Sequence, residues 1–257
     1  EPMYDHPGGL DAIDRVESWG VDFVDPRIEE GKAKIAEEEA IVVETARAAN
    51  ERPLAGKRVV VTSGATTESI DPIRTLSNRA SGRTGRAVAR ALYVRGADVT
   101  LVHDGPDVPN ADVVAVESAA EMTEAVSSAV VGADALVSAA AISDYTVERA
   151  PRKLRSGEPR TLDLEPTPKL VDAVREAHPD LPIVGFKAET SGDDDEMVER
   201  ARELRDRVGL AFVVANDAGV MGGDATRALV VDDDVSEYVG DKAGLGERVA
   251  EELAERL

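Results

Sequence analysis

Arg58-Val59-Val60-Val61-Thr62, followed at once by Ser63-Gly64-Ala65-Thr66-Thr67, decides the fold. An unbroken β-branched centre suits a strand buried on both faces, because a strand with one wet face alternates apolar and polar side chains. Such strands belong to parallel sheets covered by helices on either side. The chain downstream keeps to that pattern. A helix over 83–95 carries Ala87, Val88, Ala91, Leu92 and Val94 at helical spacing and stops at Gly96, a good C-terminal residue. Strands follow at 98–102, 135–139, 182–186 and 211–215, with helices near 119–131, 168–177 and 195–207 between them. A loop crowded with charge and proline fills 143–159, a hairpin pairs 228–231 with 237–239, and a terminal helix covers 244–257. Four or five parallel strands with intervening helices predict an α/β fold. It is a Rossmann-like, doubly wound, mostly parallel sheet in three α/β/α layers, with a small C-terminal β-hairpin.

Residues 1–52 read differently. Leu10-Asp11-Ala12-Ile13-Asp14-Arg15-Val16 has helical spacing, Val21-Asp22-Phe23-Val24 reads as a short strand ending at Asp25-Pro26, and Ala33 to Asn50 is an Ala/Glu-rich helix. A piece of this size is too small to hold a core. It reads as the tail of a preceding domain plus a linker helix, joined through Glu51-Arg52-Pro53-Leu54-Ala55-Gly56 to a second unit over 53–257.

Composition limits the chemistry. Of 257 residues 42% are hydrophobic but only 3% aromatic, so the core is built from Val, Ala, Leu and Ile. Zero Cys removes disulfides, thiolate metal sites and thiol nucleophiles together. No run approaches the roughly 20 apolar residues that span a bilayer, and the opening residues resemble no leader segment. A cytoplasmic protein with no membrane partner is the expectation. With 51 acidic against 30 basic residues the net charge is −21, which repels nucleic acid and anionic membranes. The basic residues split into 23 Arg and 7 Lys, and the acids come in solvated runs such as Glu37-Glu38-Glu39 and Asp232-Asp233-Asp234. That surface suits high salt, where screening removes self-repulsion, although a general solubility surface has the same composition.

Ligands in open α/β sheets bind beyond the carboxyl ends of the strands. There the sequence offers Gly64-Ala65-Thr66-Thr67, then Ser77-Asn78-Arg79-Ala80-Ser81-Gly82-Arg83-Thr84-Gly85 leading into a helix. Glycines beside a helix N-terminus fit a phosphate cradle, and equally an ordinary turn. The spacing is not the dinucleotide fingerprint, because about 15 residues separate the first strand from these glycines. After the third strand come Ser138, Ala139, Ala140 and Ala141, against which a ligand could lie, and Asp144, which fits a metal ion, a base or hydroxyl, or a helix cap. Arg152-Lys153-Leu154-Arg155 is a basic cluster suited to developing phosphate charge or to a solvated turn. Phe186 fits base stacking or the core, and Asn216-Asp217 completes the set.

The stretch from Val59 to Arg74, together with Ser77 to Gly85, resembles phosphopantothenoylcysteine synthetase, the second domain of the bifunctional coenzyme A biosynthesis flavoprotein. Ala140-Ala141-Ile142-Ser143-Asp144-Tyr145, Lys153, Thr167-Pro168, Val184 to Thr190, and Ala215-Asn216-Asp217 fall in that family's order over residues 57–257. Met3-Tyr4-Asp5-His6-Pro7 with Glu29 to Lys34 is similar to the end of the preceding decarboxylase domain in archaeal members, which with the acidic surface implies a halophilic archaeon. The resemblance implies a ligase. The carboxylate of 4′-phosphopantothenate attacks the α-phosphate of a nucleoside triphosphate, CTP favoured over ATP, and the amine of L-cysteine then displaces the nucleotide from the acyl intermediate. By position, Asn78 and Lys153 are the implied catalytic residues. Gly64, Ser81, Gly82, Gly85, Ser138, Ala139, Ala140, Asp144, Lys153, Thr167, Pro168, Phe186 and Asn216 would bind nucleotide, and Asn78, Ala140 and Ala141 would line the substrate. Mg²⁺ is the implied cofactor, with Asp144 as its ligand; no flavin is expected here, because flavin belongs to the upstream decarboxylase domain. A homodimer is implied as well.

Two departures stand out. Ala80-Ser81-Gly82 replaces the family's Ser-Ser-Gly, and Leu204 and Val208 stand where bacterial members often carry lysines, leaving Arg202, Arg205 and Arg207 nearby as substitutes. Two other classes compete with the ligase. A nicotinamide-dependent oxidoreductase would require a glycine fingerprint directly after the first strand and an acid at the end of the second, for which His103-Asp104 stands. A non-catalytic nucleotide-binding module would tolerate loss of Asn78 and Lys153.

Overall fold

The computed structural model describes residues 6–189, 193–217 and 225–257; Met3-Tyr4-Asp5 and Thr190 of the quoted motifs lie outside them. In chain order the elements are α1 (Pro7–Glu17), β1 (Arg27–Glu29), β2 (Lys32–Lys34), α2 (Glu38–Ala49), β3 (Arg58–Thr62), β4 (Thr67–Ser69), β5 (Thr75–Ser77) and α3 (Arg83–Val94). They continue with β6 (Asp98–His103), β7 (Asp112–Ala115), α4 (Ala119–Ala129), β8 (Ala135–Ser138), β9 (Tyr145–Val147), β10 (Leu164–Pro166) and α5 (Leu170–Ala177). The last are β11 (Ile183–Glu189), α6 (Asp194–Val208), β12 (Phe212–Asp217), β13 (Ala225–Val231), β14 (Val235–Asp241) and α7 (Lys242–Ala254).

Eight strands form the main sheet in the order β14-β13-β12-β11-β8-β3-β6-β7. The six from β12 to β7 are parallel, one more than the expected four or five, because Asp112–Ala115 pairs with β6 at the edge. Val114 is exposed and Val113 only partly buried against the core, so this strand lacks the buried run that marks the inner ones. β3 is the hub. Val59, Val60 and Val61 are at most 2% exposed, packed between β6 on one side and β8 on the other. One face of the sheet is covered by α3 and α7, whose Val88, Leu92, Leu245, Val249 and Leu253 meet Val59, Val61 and Phe212. The other is covered by α4, α5 and α6 through Met122, Val126, Val174, Met197 and Val208. No helix among the described residues is long and apolar enough to cross a membrane.

The upstream piece departs from expectation in two respects. Val21–Val24 forms no strand; the strand is Arg27–Glu29, beyond Pro26, paired with β2. Strands need partners, and only the turn at Glu30 and Gly31, both at positive φ (51° and 72°), folds a partner back. The helix begins at Glu38 rather than Ala33, since Ala33 belongs to β2. α1 buries no residue, whereas α2 is fastened to the body. Val43 is fully buried, and Arg47 donates to the carbonyls of Tyr93, Ala97 at 3.0 Å and Gly96 at 3.1 Å while lying 4.1 Å from the centre of the Tyr93 ring. These are carbonyls that the end of α3 leaves without helical partners. Burial pushes the Tyr93 phenol up to about 12, and its hydroxyl donates to Glu44.

Arg47→Ala should therefore loosen α2 and take a donor from three carbonyls, of which that of Tyr93 keeps the Gly96 N–H. A loss of about 2 kcal/mol in denaturant unfolding is expected, from lost charge-assisted hydrogen bonds and ring contact. Arg47→Lys should recover less than half, since one ammonium cannot span the fork that a guanidinium does.

Candidate functional site

The carboxyl end of β3 and the start of α3 approach as closely as backbone allows. Gly82 caps α3 at φ 70° with no side-chain cap, and the Ser63 hydroxyl donates to its carbonyl at 2.8 Å. A Cβ at Gly85 would stand 2.6 Å from Ser63 Cβ, so only glycine lets the first turn of α3 sit on the strand end. The chain between them leaves the sheet as the β4–β5 hairpin, which accounts for the 15-residue gap seen in the sequence.

The loop after β8 is bound to the loop after β3 atom by atom. Thr62 Oγ1 accepts from the N–H groups of Ala139 and Ala140, both at 3.1 Å. The N–H of Ala141 donates to Gly64, that of Thr66 to Ala141, and Thr66 Oγ1 accepts from the Ser143 N–H at 2.8 Å. The Asn78 amide donates to the Ala141 carbonyl at 2.9 Å, which holds it at the rim. A cleft of about 180 Å³ results, with Gly64, Ser81, Gly82 and Gly85 on one side and Ala139, Ala140 and Ala141 as its floor. Phe186 and Ala188 from β11, Asn216 from β12, Thr226 from β13 and Lys242 from α7 complete the opposite wall. Nine of the residues singled out from sequence thus share one cleft.

Others stand elsewhere. Ser138 is 8% exposed within β8, between Thr62 and Gly185. Thr167 donates its hydroxyl to the Ser143 carbonyl, and Pro168 is exposed beside it; neither lines the cleft. Asp144 is exposed and its carboxylate accepts from Lys169, so that ion pair occupies the oxygen expected to hold metal. Lys153 lies outside the cleft, exposed on the loop between β9 and β10. That loop is fastened to the β4–β5 hairpin. The fully buried Asp71 carboxylate accepts from the N–H groups of Ile73 at 2.7 Å, Arg74 at 2.8 Å and Leu154 at 3.0 Å, and pairs with the Arg74 guanidinium. Buried Glu68 does similar work, accepting from the Ala119 N–H that opens α4 and from the Thr146 hydroxyl of β9.

Sequence reasoning missed the assignments of Arg79, Arg83 and Thr84, which line the cleft from the approach to α3, and of Thr226 and Lys242. The arginines stood inside the quoted motif, but Lys242 had only its rarity among seven lysines to mark it. The proposed substitutes on α6 point elsewhere: Arg205 pairs with Asp233, Arg207 with Asp172, and none of Arg202, Arg205 and Arg207 lines the cleft. Leu204 and Val208 pack into the opposite core.

No Asp or Glu lines the cleft, and no cluster of three metal-binding side chains occurs among the described residues. The donor set is hydroxyl, amide, backbone N–H and cation, which suits anionic oxygens and does not fit a protein-held Mg²⁺. His103, where the oxidoreductase reading needs an acid's neighbour, is fully buried, with neither ring nitrogen partnered among the described residues; burial, then Arg86, lowers its pKa and keeps it neutral.

Among known proteins, residues 54–257 match the family described as DNA/pantothenate metabolism flavoprotein C-terminal domain. The coenzyme A biosynthesis bifunctional protein CoaBC of Thermococcus kodakarensis is 42% identical over 260 residues, covering 99% of this chain and 63% of that protein. Its namesake from Methanocaldococcus jannaschii is 33% identical over 240 residues, covering 90% and 59%. The chain therefore spans about three fifths of the length of these relatives. A crystal structure of the C-terminal domain of CoaBC superposes with a TM-score of 0.68 at 27% identity, covering 80% of this chain and 98% of that one. A DNA/pantothenate metabolism flavoprotein from Streptococcus pneumoniae gives 0.70 at 23%, covering 78% and 99%, and shares the fold.

The Asp71 junction is open to test by pH. Its carboxylate is held down to about 2 from an ordinary 3.8, first by the Leu154 N–H and then by those of Ile73 and Arg74 and by the Arg74 charge. A depressed carboxylate stabilises the fold above its unfolded pKa and ceases to do so as pH falls through the folded one. Slow hydrogen exchange at the Leu154 amide should therefore persist at pH 5 and be lost between about 4 and 2. Asp71→Asn should show the acid-state exchange at neutral pH, and unchanged protection would remove this role from Asp71.

Proposed function

The chain belongs to the DNA/pantothenate metabolism flavoprotein C-terminal domain family, and from that premise we propose that it is a phosphopantothenate–cysteine ligase of coenzyme A biosynthesis, forming part of a longer bifunctional chain. The observation that carries this reading is the cleft, in which an uncapped helix N-terminus, two interlocked loops and three cationic side chains converge, with no carboxylate among the described residues that line it. Two anionic substrates have to meet in this reaction, and each component of that wall lowers the cost of bringing them together.

In this reading the first turn of α3 and the N–H groups around Gly64 and Gly82 hold phosphate, with Arg79 and Arg83 neutralising it. Phe186 and Asn216 border the base and ribose. The carboxylate oxygen of 4′-phosphopantothenate forms a bond to the α-phosphorus, and pyrophosphate leaves with the electrons of the broken P–O bond. Asn78, fixed by Ala141, addresses the acyl centre. The cysteine amine then attacks the acyl carbon, loses a proton, and expels the nucleoside monophosphate. CTP is the proposed nucleotide, and any divalent ion is carried on its phosphates.

Lys153 enters this scheme through a second copy of the chain. Ile73, Tyr145, Leu162 and Leu164, all more than 40% exposed, lie on the two small hairpins that bear the Lys153 loop. We place a homodimer contact there, so that pairing of the hairpins and delivery of Lys153 are coupled. Residues 1–52 are taken as the end of the preceding decarboxylase unit plus a linker helix, consistent with an α1 that buries no residue, and the protein is taken as cytoplasmic.

Pyrophosphate release should require 4′-phosphopantothenate, favour CTP over ATP, and persist in molar KCl if the acidic surface is an adaptation to salt. Lys153→Ala should lower it about a hundredfold or more. Asn78→Asp should release pyrophosphate but slow the cysteine step, read as accumulated acyl-nucleotide. Release independent of phosphopantothenate would end the ligase reading. Sedimentation equilibrium should give a dimer, and Leu164→Glu should give a folded monomer with the Lys153→Ala defect; a Leu164→Glu dimer would refute the contact.

A further inference from the structure

Two helices begin at the cleft. β14 runs antiparallel to β13, which runs antiparallel to β12, so β14 is parallel to β12 and α7 starts at the same edge of the sheet as α3. The helices touch backbone to backbone: a Cβ at Gly246 would stand 2.6 Å from the Ala87 carbonyl. One helical turn towards the N-terminus from that contact are Lys242 on α7 and Arg83 on α3, and both line the cleft. The positive end of the α3 dipole opens on that space without a side-chain cap, whereas that of α7 carries the Asp241 carboxylate, which accepts from the Gly244 N–H at 2.8 Å.

Two side chains facing that space, Lys242 and Thr226, have no partner among the described residues. Lys242 is half-buried and makes no ion pair or hydrogen bond with a described residue, in a chain of net charge −21 whose other cations commonly pair with carboxylates. The Thr226 side chain is 7% exposed, and its hydroxyl also has no partner among the described residues. Arg79 lines the mouth unpaired. A half-buried ammonium that pairs with no described carboxylate, beside a hydroxyl on the cleft wall with no described partner, leaves donors of both groups free for a ligand. A bound polyanion would engage both. The helix that was expected to supply cations to the triphosphate has its Arg205 and Arg207 engaged by Asp233 and Asp172 on the other side of the sheet.

We propose that Lys242 Nζ and the Thr226 hydroxyl bind the β- and γ-phosphates of the nucleoside triphosphate, holding the pyrophosphate group between the N-termini of α3 and α7 as it leaves. The assignment rests on the ligase reading and adds the subsite that discriminates triphosphate from monophosphate. Lys242 stabilises charge gained by the leaving group when the α–β P–O bond breaks, and it contacts neither the acyl centre nor the base.

The test compares wild type with Lys242→Ala, Lys242→Arg and Thr226→Val. Binding of CTP, CMP and inorganic pyrophosphate is measured by calorimetry, and KM by pyrophosphate release. Lys242→Ala should weaken CTP and pyrophosphate by about tenfold or more while CMP changes by less than about twofold. KM for 4′-phosphopantothenate should hold, Lys242→Arg should restore most of the CTP affinity, and Thr226→Val should show the same selective loss to a smaller degree. Equal weakening of CTP and CMP, or an unchanged CTP affinity in an active Lys242→Ala enzyme, would overturn the assignment and leave the ligase reading standing. A wild-type chain that binds no triphosphate would overturn both.

Discussion

The seating of α3 on the end of β3 is the constraint from which the rest follows. Gly85 against Ser63, and Gly82 in a left-handed conformation under the Ser63 hydroxyl, bring a helix start within van der Waals reach of the central strand. That approach sends the intervening residues out as the β4–β5 hairpin, turns the uncapped N–H groups of α3 towards the sheet edge, and leaves the β8 loop to close the floor through Thr62 and Thr66. Any side chain at position 85 would push α3 outward and open the cleft at its narrowest point.

The second organising fact is electrostatic. Among the described residues carboxylates are abundant on the surface and absent from the cleft lining, while many surface arginines are neutralised in pairs such as Arg227 with Asp194 and Glu237. Arg79 and Lys242, which pair with no described carboxylate, stand where an anion would dock. In a protein of this net charge, the field outside the cleft repels triphosphates, and a salty medium with a Debye length of about 3 Å at 1 M would remove that barrier while sparing contacts inside the cleft.

The inner strands were legible because burial on both faces writes a continuous Val-rich run, as at 58–62 and 135–138. Edge and arm strands were not. β7 has one exposed and one partly buried valine, and β4, β5, β9 and β10 are three residues each, held by long-range bonds from Glu68 and Asp71 that no local pattern announces. The same division runs through the site. Glycines and alanines that must touch a ligand stand in recognisable motifs after strands β3 and β8, whereas Lys242 and Thr226 reach the cleft only because the C-terminal hairpin reverses the chain twice. Val21–Val24 failed for the converse reason, since β-propensity without a partner makes no strand.

The contact between α3 and α7 has a consequence for how the molecule comes into being. Leu245, Val249, Ala250 and Leu253 are part of the same core as Val59, Val61 and Leu92, so that face of the sheet stays open to water until α7 has left the ribosome. Such a distant pairing is slow to find and vulnerable while it is sought. The cleft thus closes only once α7 has been made, and a chain cut short before Lys242 would emerge as an exposed half-core for a chaperone or protease to recognise.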